Sequence, residues 1–518
     1  MRDTTPSTDS NHNSNTSSTL GRRSFLGALG ATAAGASLLT SGTAAASHVE
    51  DRYDRVIDIV DDAGADNSGD ESITPILEKY AADDTLLKFP PGRYFMDSQF
   101  RFTGFENFGM VGDDATLVPA NYHNFDGPQY RLFRLGVDYD PGVDLRVQGF
   151  AVDLRADDTG IRVIEAEVTD GLFVDDITVV GRHDSGTFGP GLFNILSADG
   201  KGMVKRFRAN DGGAFSENAP GDIWRGPSGL MTSKSHVGQL EFKDCELNDW
   251  PDNGLYTPSE GRVIVNGGRF ANSEAASIRM SGHDCLITGA EVVVDQQHDE
   301  NQNQRGIRLD GGSDLRVDDT TIRLEKPNGH ALTVMDDVES AWLSRLDVHV
   351  GDEVNHGIVV QSNAGSTKIT RSDIEIQRGG NAIQINGSDA GAVICKHLDI
   401  TGDAQGYIWP TAIRSTRNNC VFHNVNYNQT GDRGRKAMWL DGVGSRVSGG
   451  QQTAAAYPFV VKGSDLLIED LNAQSVDGYE AIQLSDQSSD VTIRNSDIER
   501  GVEDNGCAGL EMYGNDTS

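Results

Sequence analysis

The 518-residue chain predicts an all-β fold, a right-handed parallel β-helix whose coils carry three short strands each, closed at one end by a short N-terminal capping helix. Three observations lead there. One phrase recurs: apolar, any, apolar, any, then Gly, Asp or Asn, then two residues and another apolar. It reads "LRVQGFAV", "LFVDDITV", "LEFKDCEL", "VIVNGGRF", "CLITGAEV", "LRVDDTTI" and so on to "VTIRNSDI", at a spacing of roughly 21 to 30 residues with one longer gap between Val204 and Phe242, and such self-similarity marks stacked repeats. The alternation has period two, is rich in Val, Ile and Thr, and breaks at Gly, Asp or Asn, which is the pattern of short strands joined by tight bends. A second strand precedes each phrase: "GLMT" at Gly229, "GLYT" at Gly254, "SIRM" at Ser277, "GIRL" at Gly306, "ALTV" at Ala331, "GIVV" at Gly357, "AIQI" at Ala382, "AIRS" at Ala412, "AMWL" at Ala437 and "AIQL" at Ala481. A leucine-rich repeat would need a leucine frame with a helical return, and a propeller a period of about 40 to 45 residues. Neither is present.

Taken along the chain, residues 1–46 read as a twin-arginine export signal. Arg22 and Arg23 precede an apolar, Gly-rich run, and Ala44, Ala45 and Ala46 supply small residues for cleavage. No cysteine follows for a lipid anchor, and nothing near the C-terminus is apolar enough to span a bilayer, so the expected destination is extracellular. Residues 47–120 form the N-terminal cap and first coils. An open solenoid exposes an unpaired strand edge; Ser72–Ala81, with Ile73, Ile76, Leu77 and Tyr80 at helical spacing, is the predicted cover. Residues 121–518 form the β-helix, and past Leu510 no cover is evident.

The formal net charge of −34 argues against nucleic acid and anionic membranes as partners, and fits a halophilic source. At molar salt the Debye length falls to about 3 Å, so an acidic ligand would not be repelled at long range. Five scattered cysteines without a C-x-x-C pair argue against zinc and against a disulfide framework. Three of them, Cys285, Cys395 and Cys420, take apolar positions of the phrase and are expected as core. Asn386, Asn428 and Asn515 stand in N-x-[ST] sequons.

The segments "IDIVDDAGADNSGDES", "ITPILEKYAADDTLLKFPPGRYF" and "GMVGDDATL" resemble the opening of pectin-lyase-like β-helix proteins, with an Asp-x-Gly-Ala turn, a capping helix, a Phe-Pro-Pro-Gly-x-Tyr strand entry and a Gly-x-x-x-Thr strand in that order. With the repeats, the resemblance covers nearly the whole mature chain. It implies the fold; related folds carry lyases, hydrolases, epimerases, phage depolymerases and proteins without activity, and fold does not fix function. It also implies that a polysaccharide would lie along the outer face of a strand column.

In the second strand series the apolar residue points inward and the next one outward. Stacking therefore places Met231, Tyr256, Arg279, Arg308, Thr333, Val359, Gln384, Arg414 and Trp439 in one exterior column. Two long loops, residues 205–228 and 295–305, flank the part of it richest in unusual residues. Two arginines on adjacent coils repel unless an anion or carboxylates lie between them; a uronate or sulfate would serve, and so would Asp284 and Asp310. Tyr256 and Trp250 offer faces for a sugar ring, or simply pack. For β-elimination from a uronate, Arg279 or Arg308 would neutralise the carboxylate and Tyr256, His236 or Lys234 would act as base. Hydrolysis would need paired carboxyls, for which Asp252 and Asp310 are available, but the Asn-x-Asp, Asp-Asp and Arg-Ile-Lys order of β-helix polygalacturonases is missing. Epimerisation would use the same machinery as elimination. "DQQHDE" resembles the Asp-Pro-His-Glu motif of mannuronan epimerases without its proline. Asp295, Asp299 and Glu300 could contribute oxygens to calcium, or form a solvated acidic loop. The leading expectation is a polysaccharide lyase acting on an acidic polysaccharide; the rival is a non-catalytic glycan-binding or adhesin-like β-helix.

Overall fold

The structure, a computed structural model, describes residues 49–127, 129–185, 188–215, 226–351, 353–405, 411–431 and 434–518. The expected export signal, residues 1–46, lies outside the described residues. The unit Glu50–Ser518 is a parallel β-solenoid. Among the described residues it has two strand stacks, a narrow sheet of 16 strands and a broad one of 27 that supplies two strands to most coils.

One coil shows how the phrase becomes three strands. Gln239–Lys243 runs in the broad sheet, the chain bends at Asp244, Glu246–Asn248 continues in the same sheet, and after a corner Asn253–Thr257 joins the narrow sheet. The next coil repeats this in parallel register: Leu240 pairs with Val263, Leu247 with Phe270, Leu255 with Ile278. All six side chains are fully buried. Each such residue stabilises the stack by about 1.5 to 3 kcal/mol through removal of apolar surface from water.

The bend explains the Gly, Asp or Asn of the phrase. Asp244, Gly267, Asp319, Asn424, Asp470 and Asn495 all have φ between +48° and +69°, the left-handed region these residues tolerate best. Arg345, Arg371 and His397 occupy the same position with φ of 52°, 53° and 54°. Arg345 is held there by an ion pair to Asp318.

The capping helix spans Thr74–Tyr80, with Pro75 in its first turn. It starts two residues later and ends one earlier than the apolar spacing predicts, because Ser72 is drawn into a bridge with Phe95. Ile73 and Leu77 are buried in the first coils. At the other end Glu511–Tyr513 pairs with Ser489–Arg494 and is itself exposed. Cys285, Cys395 and Cys420 are buried in the core as expected, and all five cysteines are free thiols. Among the described residues no helix is long and apolar enough to cross a membrane.

Candidate functional site

Every strand of the second series lies in the narrow sheet. The pairing is in register throughout: Met231 with Tyr256, Tyr256 with Arg279, Arg279 with Arg308, Arg308 with Thr333, Thr333 with Val359, Val359 with Gln384, Gln384 with Arg414, Arg414 with Trp439. The column is real, but it is not open along its length. Thr333 is wholly buried and Val359 is 2% exposed, which corrects the expectation that both face solvent. Leu192, which precedes Met231 in the same column, is also buried. What remains between them is a window of Met231, Tyr256, Arg279 and Arg308.

Within the window Asp310 accepts from both arginines. Arg279 Nε donates to Oδ2 at 2.5 Å, and Arg308 Nε pairs with Oδ1. Thus one carboxylate lies between two guanidiniums one strand apart, which relieves their repulsion. The Arg279 guanidinium also sits over the Tyr256 ring, 4.7 Å from its centroid, in cation–π geometry. Arg305, whose guanidinium nitrogens lie 2.8 and 3.1 Å from the side-chain amide of Asn303, adds a third cation whose charge acts on the same group of arginines. Asp252 completes the cluster; Ser228 Oγ donates to its Oδ2 at 2.7 Å. Burial pushes the Asp252 carboxyl up, and it pushes the Tyr256 phenol up. At neutral pH Tyr256 is therefore a protonated phenol.

The remaining expected residues lie elsewhere. Trp250 is 2% exposed, donates Nε1–H to the Ala209 carbonyl at 3.2 Å and packs beside His183, so no sugar reaches its face. His236 is wholly buried, and its Nδ1 accepts from the Ile195 amide at 3.1 Å; desolvation holds its pKa down at about 4. It is a turn residue inside the stack rather than a base in the column. Lys234 is exposed in the turn leaving the narrow sheet. Asp284 sits at a left-handed bend 3.7 Å from Arg316, so the neutraliser of Arg279 is Asp310 and not Asp284. Asp295 accepts from Asn272 Nδ2 at 2.9 Å, while Asp299 and Glu300 lie exposed in the loop. Among the described residues no group of three or more His, Cys, Asp or Glu converges to hold a metal ion.

Two features escape the sequence reading. His298 Nε2 lies 2.7 Å from Asp249 Oδ1, with the ring 6.1 Å from Phe215, so the 295–305 loop meets residue 215; the expected loop 205–228 starts later than its composition predicts, because its first five residues finish the strand Lys201–Ala209. Glu274 ties the loop down: Asn301 Nδ2 and the Gln302 amide each donate to it at 2.7 Å. The second feature is Arg305 itself. The only local signal for either was the length and polarity of the loop.

No family model and no curated protein matches the chain. Solved structures give distant likenesses. ORF18 of Geobacillus virus E2 is 12% identical, with 75% of this chain and 64% of that chain covered and a TM-score of 0.33. The DFA-IIIase of Arthrobacter chlorophenolicus A6 is 10% identical, with 86% and 94% covered and a TM-score of 0.33. The A-module of an Azotobacter vinelandii mannuronan C-5 epimerase is 11% identical, with 90% and 100% covered and a TM-score of 0.32. At such scores the class of this protein rests on its own coils: a helix-capped parallel β-solenoid, as the resemblance of its opening segments implies.

Proposed function

We propose that this protein is a carbohydrate-active β-solenoid that binds an acidic polysaccharide at the Tyr256, Arg279, Arg308 and Asp310 window and cleaves it by β-elimination. The observation that carries the reading is the concentration of cations. In a chain of net charge −34, Arg279 lies over the Tyr256 ring, Arg308 is its neighbour in the stack, and the charge of Arg305 acts on both; paired guanidiniums are the recognised chemistry for a carboxylate or sulfate. In the elimination, the uronate carboxylate is received by Arg279 and Arg308, which stabilise the negative charge that develops on it when the neighbouring C–H proton leaves. Asp252, with its raised pKa, accepts that proton. The electron pair forms the carbon–carbon double bond, the glycosidic C–O bond breaks, and the Tyr256 phenol donates its proton to the departing oxygen. Inverting hydrolysis is less well served: its second carboxylate would be Asp310, whose two oxygens are already engaged by guanidiniums.

A second reading is a non-catalytic glycan binder, favoured by the positions of His236 and Lys234, which leave Tyr256 alone of the three expected bases in the column. Purified protein incubated with pectate, alginate and sulfated glycans in high salt distinguishes the two. Unsaturated product absorbance supports elimination; retention on a glycan column without product supports binding; neither outcome on any polymer sinks both.

A further inference from the structure

The exterior column continues beyond the window toward the cap, and there the same device occurs again. Arg101 pairs in register with Arg134, and Arg134 with Glu165. Arg101 is exposed and donates from Nη2 to the Tyr139 hydroxyl at 2.9 Å; Tyr139 is 73% exposed, the most exposed large apolar side chain of the described residues. Glu165 is almost wholly buried and shared among three arginines: Arg131 Nε lies 2.5 Å and Arg162 Nη1 2.7 Å from it, and Arg134 Nε makes a longer ion pair at 3.5 Å. Of the further carboxylates, Glu167 is close enough to Arg134 for that cation to offset part of the upward push that burial gives its carboxyl. Glu167 faces Asn194 Nδ2 at 3.3 Å, Asp140 accepts from Thr103, and Asp138 sits in the exposed turn beside Tyr139. Two outward arginines about 4.8 Å apart repel one another unless an anion lies between them.

We propose that Arg101, Arg134 and Tyr139 form a second binding site for a carboxylate- or sulfate-bearing saccharide. The cations take its acidic group and the exposed phenol ring stacks on the sugar face. This site is separate from the window. Five strand steps, on the order of 24 Å, divide Arg134 from Arg279, and the intervening Glu165 and Leu192 are covered. It rests on its own charge and geometry and requires no chemistry at Tyr256. One extended polymer can span both sites, and that raises affinity without any new contact.

Calorimetry with acidic trisaccharides prepared from pectate, alginate and heparin tests this, with inorganic sulfate as the competing plain anion. Wild-type protein is expected to bind two equivalents of at least one trisaccharide. Arg308→Ala and the double variant Arg101→Ala/Arg134→Ala should each bind one, and the double variant should weaken the parent polymer about 10-fold or more. Tyr139→Ala, at a position too exposed to disturb packing, should weaken the trisaccharide about 5-fold at the second site while leaving sulfate competition unchanged. A single equivalent in wild type that disappears with Arg308→Ala overturns the second site and leaves the first standing. Binding by the double variant indistinguishable from wild type, or no binding of any trisaccharide, also overturns it. Trisaccharide binding unaffected by Tyr139→Ala reduces the site to an adventitious anion patch.

Discussion

Arg279 and Arg308, 29 residues apart in sequence and one strand apart in the stack, hold the two oxygens of a single carboxylate, that of Asp310. The relation constrains what either arginine can be exchanged for. Arg308→Ala should reduce elimination on the responsive polymer by 100-fold or more, by analogy with loss of a donor to developing negative charge. Arg308→Lys should not restore it, because an ammonium cannot engage carboxylate and substrate in the planar fork of a guanidinium. Initial rates by absorbance check this, with thermal melts showing that the fold persists.

Tyr256→Phe separates the two functional readings. The ring stays under the Arg279 guanidinium, so glycan affinity should change by less than about 3-fold, while turnover should fall at least 100-fold if the phenol donates the proton. An unchanged kcat would remove Tyr256 from the chemistry.

Arg417 predicts a stability effect far from the window. It is wholly buried, and its guanidinium donates to the carbonyls of Gln361, Ser362, Ala364, Asn386 and Gly391, stitching the turns of three successive coils. Arg417→Met leaves those acceptors unsatisfied and should cost about 3 to 5 kcal/mol in urea unfolding, with no change in glycan affinity.

His236 predicts a pH dependence. Burial lowers its pKa from 6.5 to about 4, so between those values the unfolded chain binds more protons than the folded one. Stability at this residue is therefore full above pH 6.5 and declines as pH falls toward 4, by on the order of 3 kcal/mol in all. His236→Asn, which keeps an acceptor for the Ile195 amide, should flatten the wild-type slope in that window. Identical pH profiles for the two proteins would refute the assignment.

Much of this molecule was legible in advance because a solenoid is nearly one-dimensional. Each coil meets only its neighbours, so the repeat itself states the register, and the alternation states which side chains point out. The column from Met231 to Trp439, the core cysteines, the tight bends and the capping helix are read that way. Direction is not exposure, however. Thr333 and Val359 point outward as the period requires and are nonetheless covered, whereas Trp250 and His236 stand in corners and turns, where period two gives no direction at all.

The stack and the order of residues along its surface can be read from the chain alone, because both follow from short-range alternation repeated at a near-constant spacing. Which part of that surface is open, and which charges meet there, depends on how the coils and loops fold against one another. Arg279 reaching Asp310 of the next coil, Asp249 against His298, and Arg101 against Tyr139 are contacts between separate coils or loops. Their partners are chosen by corner and loop geometry, which no local pattern in the chain encodes.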